Sequence, residues 1–302
     1  MLNSPLPDRS HIETEKRLEA SKGLHQMDTS SILATMQKED HSVTKALEDA
    51  APQLAKFIND CFKGFKNGGR LIYLGAGTSG RLGVLDASET PPTFQLDQGR
   101  IIGLIAGGDK SLRFSSEGRE DLEDEFIASL KDLNLTDHDT VLGIAAGGTT
   151  PCVHGALKYV RSESPKSLRG FMSCTPLIEE NYITHPVFLN TGPEVLTGST
   201  RLKAGTATKL ALNQISTTLM ILYGKVYENL MVDLKASNLK LIDRAVRIIT
   251  TLTTLSREEA LSLLKQAHNK TKVAIVMHHN KLNYEDAQTM LNKNEQHLHR
   301  CL

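Results

Sequence analysis

Tryptophan is absent from the 302-residue sequence and aromatic residues make up only 5% of it, which argues against a carbohydrate held by ring stacking. Neither sign of charge is in excess. Lys+Arg and Asp+Glu number 35 each, so no general field draws nucleic acid or an anionic membrane, and recognition of charge must be local. The four cysteines (Cys61, Cys152, Cys174 and Cys301) form no CxxC pair, and no His/Cys cluster has metal-ligand spacing. A reduced, cytoplasmic compartment and no metal are therefore expected. The opening stretch 1–20 lacks the apolar centre of a secretion signal, and no run approaches the length of a membrane span.

What is present is concentrated in one stretch, Leu71-Ile-Tyr-Leu-Gly75-Ala-Gly77-Thr78-Ser79-Gly80-Arg-Leu-Gly83-Val-Leu-Asp-Ala-Ser-Glu89. Four apolar residues, short enough for a buried strand, run into glycines and two hydroxyls, and Leu82, Val84 and Leu85 then resume at helical spacing. Such a strand, tight turn and helix start brings unpaired backbone N–H groups and the positive end of a helix dipole to one point, which suits an anion. Thr78 and Ser79 add hydroxyl donors there, and Glu89, one helix length on, is a carboxylate that could reach a bound molecule. The same letters satisfy the dinucleotide fingerprint Gly-x-Gly-x-x-Gly. Against that reading, Asp109 comes late for a ribose-binding acid after the next strand, and two hydroxyls in the loop suit a phosphate monoester better than a pyrophosphate.

The rest of the chain repeats the theme. Past Ser42, Val43, Leu47, Leu54, Phe57, Ile58, Cys61 and Phe65 follow helical spacing, whereas residues 1–25 read as an arm. Thr90-Pro91-Pro92 is expected to stop the helix after Glu89. Ile101–Ala106 and Val141–Ala146 read as buried strands, and the second runs into Gly147-Gly148-Thr149-Thr150-Pro151 and a further helix, giving a second anion-ready loop. Between them, Ser115–Glu125 offers hydroxyls able to cap a helix whose first turns carry crowded acids. That segment is either a solvated acidic face or, following a strand end, part of a site. Arg169–Cys174 and Val187–Leu189 supply further strands, so the alternation from about 70 to 225 predicts a parallel sheet with helices on both faces. Glu194–Thr206 is a third hydroxyl-rich loop, in which Arg201 and Lys203 suit either a phosphate or a helix cap, and a long apolar helix over Lys209–Tyr223 follows. From about 240 the sequence reads as a small helical domain. Ser256-Arg-Glu-Glu259 has capping-box spacing, Asn283 can cap Tyr284–Leu291, and Lys272–Met277 reads as helix rather than strand. His278, His279, His297 and His299 lie there at i, i+1 and i, i+2 spacings, which do not share a helix face.

The run Gly75 to Glu89 followed by Pro91-Pro92-Thr93-Phe94, together with Glu117-Gly-Arg-Glu120-Asp121, Leu196–Thr206 and Asn229–Asp233, resembles the signature of the N-acetylmuramic acid 6-phosphate etherases. These belong to the sugar isomerase (SIS) superfamily and are related to the glucokinase regulatory protein. The resemblance covers nearly the whole chain. It implies an α/β parallel-sheet SIS domain over 43–238, preceded by an arm over 1–42 and followed by a helical domain over 239–302. It also implies a homodimer, a small-molecule sugar phosphate as the partner, no nucleic acid, no membrane and no cofactor. The implied reaction cleaves the lactyl ether of the sugar to N-acetylglucosamine 6-phosphate and D-lactate. Glu89 matches the residue proposed to protonate departing lactate, and Glu120 matches the second catalytic glutamate, read here as the base at C2. The expected phosphate-binding set is Thr78, Ser79, Gly148, Thr149, Thr150 and Lys203.

The sequence departs from the family pattern in the third-strand loop and at Thr90, which stands where cysteine is frequent. Where the third-strand loop commonly reads Ala-Ala-Ser-Gly-Arg-Thr-Pro, Gly147 and Thr149 stand for the serine and the arginine, so one hydroxyl and one cation are lost. A non-catalytic sugar-phosphate sensor and a sugar-phosphate isomerase remain as alternatives. Retention of both glutamates favours the enzyme.

Overall fold

The computed structural model describes residues 8–116, 118–234 and 238–302. Two compact units divide the chain, one comprising Met1–Ala87 and Gly99–Ile215 and the other Ser88–Gln98 and Ser216–Leu302.

The first unit is built on five strands: β1 (Leu71–Gly75), β2 (Ile101–Ile105), β3 (Thr140–Ile144), β4 (Leu168–Ser173) and β5 (His185–Phe188). All pair in parallel in the order β2-β1-β3-β4-β5. The strands are apolar on both faces because both are covered. On one face Phe57 of α1 (Thr29–Lys66) presses onto Gly170 of β4, so closely that a Cβ at Gly170 would lie 2.7 Å from its Cε2. On the same face the first turns of α2 (Gly77–Phe94) lie over β1 and β2, and Tyr73 Oη donates to Asp86 Oδ2 at 3.0 Å. The other face carries α5 (Pro151–Glu163), whose Val153 and Leu157 meet Gly143 of β3. Phe126 and Leu130, the latter on α4 (Ile127–Asp132), complete that layer with Ile72, Val141 and Phe171. The short α3 (Lys110–Arg113) follows β2.

The second unit is helical, with α7 (Leu239–Leu252), α8 (Arg257–Gln266), α9 (Thr271–Asn280) and α10 (Tyr284–Lys293) around a core that includes Val246, Ile249, Leu264, Ile275 and Leu291. Ser256 and Glu259 form the capping box at the start of α8, and Asn283 caps α10. Lys272 is buried here. Its Nζ donates to Asp233 Oδ2 at 2.7 Å, Gly224 O at 2.8 Å and Gln296 O at 2.9 Å, so all three of its protons are used.

Two expectations change. Helix α1 starts at Thr29 rather than past Ser42, because Asp28 caps it by accepting from Ser31 N–H, and its first turns are too polar to show a period. Helix α2 continues through Pro91 and Pro92 to Phe94. Proline fixes φ near the helical value, and two lost backbone bonds are tolerable in a last turn. The division between the two compact units falls within α2 and α6 (Lys203–Leu222), and residues 88–98 group with the C-terminal helices.

At the edge of the sheet where the strands begin, Asp139 stitches β1 to β3. Its carboxylate accepts from Arg70 N (2.7 Å), Arg70 Nε (3.0 Å), Arg70 Nη2 (2.7 Å) and Thr136 N (2.8 Å). Burial pushes the Asp139 carboxyl up, but the Arg70 and Thr136 hydrogen bonds together outweigh it and hold the group below its ordinary 3.8. Asp139→Asn is expected to cost about 3 kcal/mol, because it leaves a part-buried guanidinium without its partner. Denaturant unfolding at neutral pH measures this. Since the folded value lies below the unfolded one, the contribution is complete above pH 3.8 and fades as pH falls below it.

Candidate active site

The strand order dictates where a ligand can sit. From β1 the chain moves outward to β2, then returns to the other side of β1 for β3, so the helices leaving β1 and β3 depart to opposite faces. A crevice opens between the carboxyl ends of those two strands, and it is where open parallel sheets bind ligands. Each lip of the crevice is a glycine turn into a helix. Gly77 starts α2 with φ +51°, a left-handed backbone that glycine adopts without strain. Gly80 packs so tightly beneath it that a Cβ would fall 2.3 Å from Gly75 O and 2.7 Å from Ile105 Cγ1, so no larger residue lets α2 leave the strand at this angle.

A cavity of about 280 Å³ fills this crevice. Thr78 and Ser79 line it from the α2 lip, Gly147, Thr149, Thr150 and Pro151 from the α5 lip, and Gly198 and Thr200 from the loop before α6. Thr150 is the N-cap of α5 but its side chain makes no capping bond, so its hydroxyl stays available to a ligand. The α2 lip presents first-turn N–H groups with no partner inside their own helix, whereas on the α5 lip Pro151 has no N–H and those of Val153 and His154 go to Thr150 O. Glu120 and Asp121 stand at the same cavity. They are held there by the backbone: Cys152 N–H, in the first turn of α5, donates to Glu120 O at 3.0 Å. Farther along the loop, Glu125 accepts from Gly107 N at 2.7 Å and from Arg119 Nη1 at 3.2 Å. The segment is thus a turn-rich loop rather than the helix expected over Ser115–Glu125, and α4 begins only at Ile127. The helix start beside Glu120 is that of α5, not one of its own segment. Glu117, part of the acidic motif, lies outside the described residues.

Cys152 lies under this cluster and is no nucleophile. Burial first, then the Glu120 and Glu125 carboxylates, push its thiol up to about 12.

Of the expected site residues, the structure brings Thr78, Ser79, Thr149, Thr150 and Glu120 to one cavity. Gly148 turns away from it. Its N–H donates to Ala145 O at 3.0 Å, and the residue lines a neighbouring cavity of about 350 Å³ with His154 and Tyr182. Lys203 is also not among the lining residues. It is 2% exposed, and its Nζ donates to Glu39 Oε2 at 3.0 Å, so its charge is already balanced by α1. Glu194, fully buried, accepts from Lys203 N and Ala204 N and so caps α6, leaving Lys203 no structural reason to turn outward. Glu89 is exposed, on α2 about three turns beyond Thr78. It belongs to the second unit. The sequence reading missed Arg9, Ile12, Thr14 and Glu15, which line the cavity from the N-terminal segment. Ile12 is the one apolar residue in an otherwise polar run there, too little to give a period.

The sequence matches known proteins over nearly its full length. A protein named N-acetylmuramic acid 6-phosphate etherase from Staphylococcus epidermidis is 46% identical, over 94% of this chain and 96% of the relative. One of the same name from Staphylococcus saprophyticus is 48% identical, over 93% and 95%. This chain belongs to the N-acetylmuramic acid 6-phosphate etherase family. Another relative, N-acetylmuramic acid 6-phosphate etherase 1 from Bacillus licheniformis, is 44% identical over 98% of each chain. Within this etherase-family chain, residues 53–161 match the family model of the glucokinase regulatory protein N-terminal SIS domain, and residues 228–282 match that of the C-terminal lid domain of glucokinase regulatory protein.

One contact sets how far the Glu120 loop stands from the sheet. A Cβ on Gly155, one turn into α5, would lie 2.0 Å from Glu123 O, a backbone atom that cannot swing aside. Gly155→Ala is therefore expected to push the loop outward at a cost of about 2 kcal/mol. Chemical denaturation reads that loss, and an unchanged midpoint would remove the contact from the account.

Proposed function

We propose that this chain cleaves the D-lactyl ether of N-acetylmuramic acid 6-phosphate, giving N-acetylglucosamine 6-phosphate and D-lactate, a step in reuse of a cell-wall sugar. The observation that carries the reading is the 280 Å³ cavity at the β1/β3 crevice, in which two helix starts, a row of hydroxyls and Glu120 converge. Family membership over nearly the whole chain supplies the substrate. A phosphate monoester fits the lips: a dianion accepts from the first-turn N–H groups of α2 and from the hydroxyls of Thr78, Ser79, Thr149 and Thr150. The acidic side chains are then left for the other end of the sugar.

In the open-chain sugar the C2 hydrogen is activated by the C1 aldehyde, and the ether oxygen sits at C3. Glu120 as carboxylate takes the C2 proton. The C2–H pair becomes the C2=C3 double bond, the C3–O bond breaks, and the departing lactate oxygen takes a proton from Glu89. Water then adds at C3 and a proton returns to C2, so atoms and charge balance over the two steps. No electron leaves the substrate. Thr78, Ser79, Thr149 and Thr150 hold the phosphate through both steps, so the unsaturated intermediate stays in register for water addition. We place the enzyme in the cytoplasm, where a sugar phosphate is available and four buried thiols stay reduced. We further read the working form as a homodimer. Glu89 and Glu120 are both exposed in the protomer, and a second copy would shield them from bulk water.

Purified protein incubated with N-acetylmuramic acid 6-phosphate is expected to release D-lactate, measured with a D-lactate dehydrogenase couple. Glu120→Gln should lower release by about 100-fold or more and abolish deuterium uptake at C2 in heavy water. Glu89→Gln should lower release similarly while exchange at C2 persists. Tight binding of the sugar phosphate with no lactate from the wild type would sink the enzyme reading in favour of a sensor.

A further inference from the structure

The geometry points to Thr14 and Arg9, from the N-terminal segment, as ligands of the substrate phosphate. This rests on the sugar-phosphate reading of the cavity. Two observations carry it. Thr14 is fully buried, lines the cavity, and its Oγ1 has no hydrogen-bond partner among the described residues. A hydroxyl shut away from water without a partner is costly, and one that faces a ligand cavity gains its partner when the ligand arrives. The second observation is electrostatic. Among the described residues lining the cavity, Glu15, Glu120 and Asp121 bring three carboxylates and Arg9 the one cation. An anionic substrate entering such a cavity meets repulsion that helix starts and neutral hydroxyls offset only in part, and a guanidinium, with its fork of donors, fits a phosphate.

The segment is fixed against the rest of the site. Ile12 is 2% exposed, and its N–H donates to Arg9 O at 3.0 Å. Gly198 N–H donates to Thr14 O at 3.1 Å, which ties the segment to the loop before α6. The position of Thr14 also matches what the α5 lip lacks. A Cβ built on Gly147 would stand 3.8 Å from Thr14 Oγ1 and 4.0 Å from Thr149 Oγ1, so Thr14 places a hydroxyl beside the residue that has none. Gly147 and Thr149 supply no serine hydroxyl and no arginine to this lip. Thr14 and Arg9 bring both functions from a segment more than 130 residues away in sequence.

Calorimetric titration of the wild type, Thr14→Val, Thr14→Ser and Arg9→Gln with N-acetylglucosamine 6-phosphate and with inorganic phosphate tests this without turnover. Thr14→Val should weaken both ligands about fivefold, and Thr14→Ser should restore wild-type affinity. Arg9→Gln should weaken both about tenfold and flatten the salt dependence of binding. Unchanged affinities in Thr14→Val and Arg9→Gln overturn the assignment. So does a loss seen with the sugar phosphate and not with inorganic phosphate, which would put the contacts on the sugar. Should Thr14→Val fail to fold, Arg9→Gln, a change at an exposed residue, decides alone. Wild-type binding without lactate release would defeat the etherase reading and leave this one standing, whereas lactate release with unaffected variants would do the reverse.

Discussion

The reversal of strand order at β1 is the constraint on which the site depends. Because β1 lies between β2 and β3 in the sheet, the helices that leave β1 and β3 must part to opposite faces, and the gap between their first turns cannot be filled by either. Nothing in that gap needs a special residue to stay open. What needs special residues is the sharpness of the two turns, supplied by Gly77 and Gly80 on one lip and by the glycine pair before Thr149 on the other. The positive ends of two helix dipoles then converge at a point where the backbone has spare donors. Charge recognition in an otherwise neutral protein follows from topology before any side chain is considered.

On this frame the acids and the donors are held by different means. The hydroxyls of Thr78 and Ser79 ride on the first turn of α2, and those of Thr149 and Thr150 stand in the turn just before α5. Glu120 rides on a loop whose distance from the sheet is gauged by Gly155 and whose register is fixed by the bond from Cys152 N–H. Glu125 ties the far end of that loop to the turn after β2 through Gly107. A carboxylate placed by backbone contacts keeps its own oxygens unspent. In the second unit the same logic runs the other way: Asp233 spends its carboxylate on Lys272 and Lys225.

Much of this was legible in the sequence because it is local. Strands, glycine turns and hydroxyls at the lips are written within a few residues of one another, as are the Ser256–Glu259 capping box and the Asn283 cap. What was not legible depends on partners far away. Lys203 reads as a free cation in a polar loop, but its charge is met by Glu39, 164 positions earlier. Ser115–Glu125 carries the composition of a helix start, yet the Glu120 carbonyl accepts from the first turn of α5 and the Glu125 carboxylate accepts from the turn after β2. The N-terminal segment has no period because its elements are single 3-10 turns, so Thr14, in the first of them, gave no sign that it is buried.

The burial of all four cysteines turns each into a built-in clock. Cys61, Cys152 and Cys174 sit in the sheet-based unit and Cys301 in the helical one, each at most 5% exposed. A thiol reagent can reach any of them only when its surroundings open. The pace of alkylation at Cys301 against that at Cys61 therefore compares how often the two halves of the molecule breathe, without a label added or a residue changed.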